Sequence, residues 1–378
     1  MEKIDADLRG YQRGLTQMTI KRRKTRVVKI GKVRVGGDAP ISVQSMTKTR
    51  TSDINSTVKQ IKELEKVGCE IIRVAVRDES DARAIKEIKK NIAIPLEADI
   101  HFNYRLAIQA VSSGSDAIRL NPGNIYREDE IKEIVKVAKQ NKIPIRVGVN
   151  SGSLNSGRNQ KPVTSNQNVS ELMIKSAMEY IKILEKLEFY DIMVSLKASD
   201  VLTTVEAYRK MARACDYPFH LGITATGLSF EGGIKSAVGL GILLAEGIGD
   251  TIRVSLAGES RDEVKVAQWI LSSLSLRQFG PQIIACPTCG RAQIDVVTIA
   301  QELENKLHGK RCTVNGKRPP KVAVMGCEVN GPGEARDADI GIAGGKGCAL
   351  LFKKGKIIER VKEEDIAERL LKEIKASD

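Results

Sequence analysis

Apolar and polar positions follow two periods along this chain. Short apolar runs recur at Ile41–Thr47, Ile71–Arg77, Pro95–His101, Ala117–Pro122, Ile143–Asn150, Asp191–Lys197, Phe219–Ala225 and Thr251–Leu256. Amphipathic stretches lie between them: in 56–67, Val58, Ile61, Leu64 and Val67 share one helical face, and Glu171–Leu187 and Arg261–Leu274 repeat the pattern. Eight alternating strand and helix units predict a parallel (β/α)8 TIM barrel rather than a doubly wound sheet. Ahead of it, Thr25–Gly37 reads as a short hairpin around Ile30-Gly31-Lys32, so the barrel domain with its hairpin spans 25–274. Residues 1–24 are an N-terminal extension with little pattern.

The period changes after a linker at Ser275–Pro281. Strand-like Ile283–Cys286, a helical stretch Arg291–Leu307, strands Val322–Met325 and Ile340–Ala343, a hairpin Ala349–Val361 around Lys354-Gly355-Lys356 and a closing helix Glu363–Ala376 make a small α+β module over 282–378. Residues 151–170, rich in Ser, Asn and Gly, are long for a connection inside a compact domain and read as an active-site loop.

Barrel enzymes carry their chemistry at the C-terminal ends of the strands. Polar residues recur there at period two, hence on one side of each strand: Glu97, Asp99 and His101; Arg119 and Asn121; Arg146 and Asn150; Ser195 and Lys197; Arg253 and Ser255. A strand buried on both faces does not carry charges without a partner or a ligand for them. Together Arg73, Arg119, Arg146 and Lys197 predict a cationic barrel mouth, and guanidinium forks suit a diphosphate.

Three cysteines define the second module. Cys286-Pro287-Thr288-Cys289 places two thiols on one turn, and Cys327 follows the apolar run Val322–Met325 inside Gly326-Cys327-Glu328-Val329-Asn330-Gly331-Pro332-Gly333-Glu334. A C-x-x-C pair alone reads equally as a redox dithiol or half of a zinc site. The third Cys, with no His beside it, favours an iron-sulfur cluster with one iron left for another ligand. Cys69, Cys215 and Cys348 read as small buried hydrophobes, and Cys312 as part of a surface loop.

Composition narrows the partners. The chain has 378 residues, a formal net charge of +14 and 4% aromatics. So few rings argue against stacking on single-stranded nucleic acid, and no nucleic-acid-binding motif accompanies the basic charge. Much of that charge belongs to Lys-rich helix faces such as 59–66 and 131–142, and the rest suits anionic substrates or partners. Seven scattered Cys do not form a secreted disulfide framework, and neither a signal peptide nor a membrane span is present, which predicts a cytoplasmic protein.

Across nearly the whole chain after residue 20, the sequence resembles the 4-hydroxy-3-methylbut-2-enyl diphosphate synthase family. The resemblance runs through Gly-Gly-Asp-Ala-Pro (36–40), Val-Gln-Ser-Met-Thr (43–47), Ala-Asp-Ile-His-Phe (98–102), Arg-Leu-Asn-Pro-Gly-Asn (119–124), Gly-Val-Asn-Ser-Gly-Ser (148–153), the cysteine motifs and Ala-Asp-Ile-Gly-Ile-Ala (338–343). It implies a TIM barrel joined to a [4Fe-4S] domain, with the cluster held by Cys286, Cys289, Cys327 and Glu334, the last also acting as a catalytic gate. It implies a cyclic diphosphate substrate, 2-C-methyl-D-erythritol 2,4-cyclodiphosphate, bound by Arg73, His101, Arg119, Asn121, Arg146, Asn150, Lys197, Arg253 and Ser255. Flavodoxin or ferredoxin would deliver two electrons, and the chain would form a homodimer. One departure stands out: Thr224-Ala225-Thr226-Gly227 replaces the Thr-Glu-Ala-Gly usual in the family, and Glu231 is the nearest carboxylate to take over from the missing one. Two other readings compete: a phosphate-binding barrel of the pterin-synthase kind with structural zinc, and a basic RNA-binding protein with a zinc knuckle.

Overall fold

A computed structural model describes residues 20–154, 168–224, 226–307, 319–327 and 338–376. Residues 1–19, most of the 151–170 loop, Ala225, Cys312 and Glu334 therefore lie outside the described residues. The chain divides into two compact units whose main boundary falls between Ile270 and Leu271.

The first unit opens with an antiparallel hairpin, β1 (Val28–Ile30) and β2 (Val33–Val35). Eight parallel strands follow: β3 (Ser42–Met46), β4 (Ile71–Val76), β5 (Leu96–Ile100), β6 (Ala117–Leu120), β7 (Ile145–Asn150), β8 (Ile192–Lys197), β9 (His220–Leu221) and β10 (Thr251–Ile252). They pair in the order β8-β7-β6-β5-β4-β3-β10-β9, and a parallel bridge from Val194 to Phe219 closes the ring. This is a TIM barrel. The helices between strands bury the apolar stripes seen in the sequence, as where Ile61 and Leu64 of helix Ile54–Lys66 are fully covered. Several helices start on side-chain caps that supply a free backbone N–H with a partner, among them Asp78, which accepts from Asp81 N, and Asn168, which accepts from Ser170 N and Glu171 N.

The last two barrel strands are shorter than their apolar runs. Expected over Phe219–Ala225 and Thr251–Leu256, they pair only over two residues each. Beyond Leu221 the Thr224 N–H turns to Ala198 O, and beyond Ile252 the Ala257 N–H turns to Gly227 O, so the backbone leaves the ladder.

A basic segment ahead of the hairpin is fastened to residues 215–250. Arg22 pairs with buried Asp250 at 3.0 Å, Arg23 donates to Cys215 O and Tyr217 O and lies 3.9 Å over the Phe219 ring, and Arg26 pairs with Asp216 at 2.8 Å. Asp250 also accepts from Thr25 Oγ1 and Phe219 N. Burial pushes its carboxyl pKa up despite these partners.

The second unit is a five-stranded mixed sheet. Strands β11 (Gln282–Ala285), β12 (Lys321–Met325) and β13 (Ile340–Gly345) are parallel, and β14 (Cys348–Lys353) and β15 (Lys356–Lys362) continue it antiparallel. Helices Val296–Leu307 and Ile366–Ala376 bring Ile299, Leu303, Leu370 and Ile374 into one core with Val322, Val324, Ile340 and Ile342.

The barrel interior is polar where aliphatic layers usually fill it. Arg146 makes a two-pronged contact with Glu97, Nε to Oε1 at 2.8 Å and Nη2 to Oε2 at 2.6 Å, and Gln44 Nε2 donates to the same carboxylate at 2.9 Å. Both charges are sealed from water. Glu97→Gln leaves that guanidinium without its counter-charge and should destabilise the barrel by about 3–5 kcal/mol, whereas Glu97→Leu combined with Arg146→Met should cost less. Urea unfolding followed through Trp269, the sole tryptophan, on helix Ser260–Ser273, measures both.

Candidate active site

Register explains how the barrel gathers its charges. Met46 lies opposite Arg73, Arg73 opposite Glu97, Asp99 opposite Arg119, Arg119 opposite Arg146, and Asn150 opposite Lys197. Parallel strands in this register carry one side chain each toward a common interior.

Asp99 is the hub on the acidic side. Arg119 Nη1 reaches its Oδ1 at 3.1 Å, and Arg73 Nε lies 3.6 Å from Oδ2. Burial opposes its ionisation, but Arg73, Arg119 and Arg146 outweigh burial and hold its carboxyl well below the usual range. Arg119 Nη2 also donates to Gly148 O at 2.7 Å. A Cβ at Gly148 would stand 2.3 Å from Arg119 Nε, so this glycine leaves the space that the guanidinium fills.

Arg73, Arg119, Arg146 and Lys197 are buried, and Arg253 is part-buried, in the barrel that also holds Glu97 and Asp99. The cations outnumber these two carboxylates. Arg73 donates Nε and Nη2 to Met46 Sδ at 3.2 and 3.0 Å, and Arg253 donates Nη1 to the same sulfur at 3.1 Å. A thioether is a weak acceptor. Two guanidinium forks thus rest on a group that stabilises them little, while Arg253 Nε and Arg146 Nη1 are buried with no partner. Burial and the neighbouring Arg73 push the Arg253 pKa down to about 9. Arg253 Nη2 also donates to Ser255 Oγ.

Lys197 sits deeper. Its Nζ is 3.2 Å from Nε2 of His220, and both side chains are buried. Burial, followed by the charges of Arg253, Arg73, Arg146 and Arg119, pushes its pKa well below the ordinary lysine value. Beside Arg253 and Ser255 a cavity of about 350 Å³ opens, lined by Met46, Thr226, Gly227 and Glu263 among others. Lys48 guards its edge, 3.5 Å from Glu263 and bonded to Leu256 O at 3.0 Å.

The remaining residues singled out in the sequence are placed differently. Asn121 donates to Ser153 Oγ at 2.9 Å and accepts from Gly123 N, and Ser153 Oγ donates to Asn150 O, so both asparagines organise the turn after β7. His101 lies just past β5 beside highly exposed Phe102, near enough to Asp99 to help hold its charge. Arg146 is committed to Glu97 through two of its three nitrogens and lies below the others, rather than standing free at the mouth. Sequence reasoning passed over His220 and Met46. His220 and Gly222 keep the inward period of their strand, which was the available signal for the histidine.

In the second unit, Ala285 pairs with Val324, so Cys286 and Cys327 follow the C-terminal ends of adjacent parallel strands. Cys286 Sγ accepts the Gly326 N–H at 3.2 Å, a backbone donor of the kind that tunes a ligating thiolate. Thr288 adopts φ +44° and carries the chain round to exposed Cys289. All three are free thiols. Among the described residues, no three Cys, His, Asp or Glu side chains are gathered closely enough to hold a metal ion. Three thiols at one sheet end with a backbone N–H donor fit the chemistry of a thiolate-held cluster. Cys69 is buried, whereas Cys215 and Cys348 are half-buried.

Comparison with known proteins agrees with this architecture. Residues 25–268 match the GcpE TIM-barrel domain and 282–376 the GcpE protein C-terminal domain. A relative in Caldanaerobacter subterraneus subsp. tengcongensis, named 4-hydroxy-3-methylbut-2-en-1-yl diphosphate synthase (flavodoxin), is 55% identical over 94% of this chain and 98% of its own length. One of the same name in Clostridium perfringens is 53% identical over 93% and 98%. Among solved structures, dihydropteroate synthase from Stenotrophomonas maltophilia shares the barrel fold, with a TM-score of 0.50 at 12% identity over 66% of this chain and 98% of that one. With both of its domains matched in order and relatives aligned almost end to end, this chain belongs to the GcpE family.

Proposed function

We propose that this protein reductively opens 2-C-methyl-D-erythritol 2,4-cyclodiphosphate to 4-hydroxy-3-methylbut-2-enyl diphosphate. The conversion breaks one ring C–O bond and loses a hydroxyl as water, consuming two electrons and two protons. The observation that carries this reading is the pair of guanidinium groups of Arg73 and Arg253 resting on Met46 Sδ. Phosphoryl oxygens accept far more strongly than a thioether, so a diphosphate exchanges weak bonds for charge-assisted ones. Arg119 and Lys197 complete the anion site, and Arg146 holds the layer beneath through Glu97. As the ring C–O bond breaks, negative charge builds on the departing phosphate, and these fixed cations stabilise it without rearranging. Asn121 and Asn150 organise the turn after β7 over the mouth, with His101 at its edge.

Cys286, Cys289 and Cys327, with Glu334 as the fourth ligand and gate, would hold a [4Fe-4S] cluster that supplies single electrons and an exchangeable iron site. The relatives' names carry flavodoxin, and a chain of net charge +14 suits a small acidic electron carrier; ferredoxin is the other candidate. Free thiols and a flavodoxin partner favour the cytoplasm. Among the described residues no helix is long and apolar enough to cross a membrane. A homodimer accounts for Phe230, Ile234 and Val238, which form one exposed stripe on helix Ser229–Ala245.

Three outcomes test this reading. Protein purified without oxygen should contain about four iron and four sulfide per chain, and Cys327→Ala should lose them; zinc without sulfide would remove the electron-transfer mechanism. Lys197→Met should weaken binding of the cyclic diphosphate at least about tenfold while raising the thermal stability of the empty protein at neutral pH. The sign follows from a folded pKa below the unfolded one: burying this lysine disfavours folding increasingly as pH falls from the unfolded value toward the folded one, and Met removes that term. Thermal unfolding with and without the ligand reads both effects. Ile234→Glu should convert a dimer to a monomer in analytical ultracentrifugation.

A further inference from the structure

His220 is used by none of the steps above, yet it is fully buried in the barrel with Nε2 3.2 Å from Lys197 Nζ and Nδ1 without a partner. Its backbone is fixed: Tyr208 on helix Val201–Ala214 donates its hydroxyl to His220 O and accepts the Leu196 N–H. Beside it, a Cβ at Gly222 would stand 2.8 Å from Lys197 Nζ and 2.7 Å from Arg253 O, so the glycine keeps clear the space in which the amine sits.

The hydrogen bond between these nitrogens has two forms. An ammonium has only donors, so it requires a bare Nε2 and puts the ring proton on Nδ1. A neutral amine also offers a lone pair, so Nε2–H can donate to it, which leaves Nδ1 as a bare acceptor. The second form suits the empty site, because an unpaired buried donor is a rarer arrangement than an under-used acceptor. The surrounding charges agree: Arg253, Arg73 on β4, Arg119 on β6 and Arg146 on β7 all disfavour a further cation, and the β5 carboxylates Glu97 and Asp99 are already bonded to Arg146 and to Arg119. Burial and the same cations push the His220 pKa well below its ordinary value, so its ring changes tautomer rather than charge.

We propose that His220 is a positioning residue which holds Lys197 as a neutral amine in the empty barrel, and that an arriving phosphoryl anion brings one proton onto Nζ while the imidazole shifts from its Nε2–H to its Nδ1–H tautomer. The proton balance is one taken from solvent onto Nζ, with the ring losing one at Nε2 and gaining one at Nδ1. This rests on the cyclic diphosphate as substrate. Each of its phosphorus atoms carries one ester and one anhydride bond and keeps a single strongly acidic oxygen, so its charge is fixed across the neutral range and any proton taken up goes to the protein.

The chain has three histidines, which makes the test direct. Full-length protein purified anaerobically with its cofactor, without electron donor and labelled with 15N in histidine, is titrated with the cyclic diphosphate; His220→Gln assigns the ring. The expected result is a neutral Nε2–H ring in the empty protein that becomes Nδ1–H on saturation. Calorimetry in buffers of different ionisation enthalpy should show uptake of about one proton, and affinity should fall about tenfold per pH unit above the Lys197 pKa. Binding with an unchanged tautomer and no proton uptake overturns this proposal alone. No binding of the cyclic diphosphate overturns it together with the substrate reading.

Discussion

Excess positive charge held inside a closed barrel is the constraint on which the structure depends. Arg73, Arg119 and Arg146 are buried and Arg253 is part-buried, with Glu97 and Asp99 as their principal carboxylates. Such an interior is stable only if each charge has some partner, and the partners are graded. Glu97 fully satisfies two nitrogens of Arg146, Asp99 serves Arg119 and more distantly Arg73, and Met46 offers a sulfur to what remains. The grading divides the interior into a layer committed to the fold and a layer whose bonds are easily exchanged. Buried ion pairs contribute little net stability, so the fold alone does not account for this arrangement, which fits the proposed anionic substrate.

Close packing makes the layers depend on small residues and on the barrel's closure. Gly148 admits Arg119 and Gly222 admits Lys197 where a methyl group would collide. The short β9 and β10 strands belong to the same solution, since pairing stops where the chain turns toward the mouth and lines the cavity beside Arg253.

The alternation of apolar runs and amphipathic stretches made the barrel legible in the sequence, because burial on both faces leaves little else for a parallel strand to be. The C-terminal hairpin was legible from Lys354-Gly355-Lys356. The inward charges were also visible at period two. What the sequence could not show was their pairing: Arg146 and Arg119 look alike in the chain and lie opposite each other in the sheet, and only the folded side chains give Glu97 to the first and Asp99 to the second. Met46 was hidden for a different reason. Nothing in an apolar residue announces that two arginines will use its sulfur. The lengths of β9 and β10 were misjudged because apolar character continues past the point where backbone pairing ends.

The fastening of the basic leader to Asp250 has a consequence for synthesis on the ribosome. Arg22 and its carboxylate partner are 228 residues apart. At roughly 5–20 residues per second, the leader emerges on the order of ten to fifty seconds before Asp250 is made. Until residues 215–219 and then Asp250 follow, this cationic stretch lacks the partners that later hold it, and β3 lacks its β10 neighbour. Docking of the leader and closure of the ring depend on the same late segment, so a nascent barrel is exposed to chaperones and to proteases until its last strand is complete.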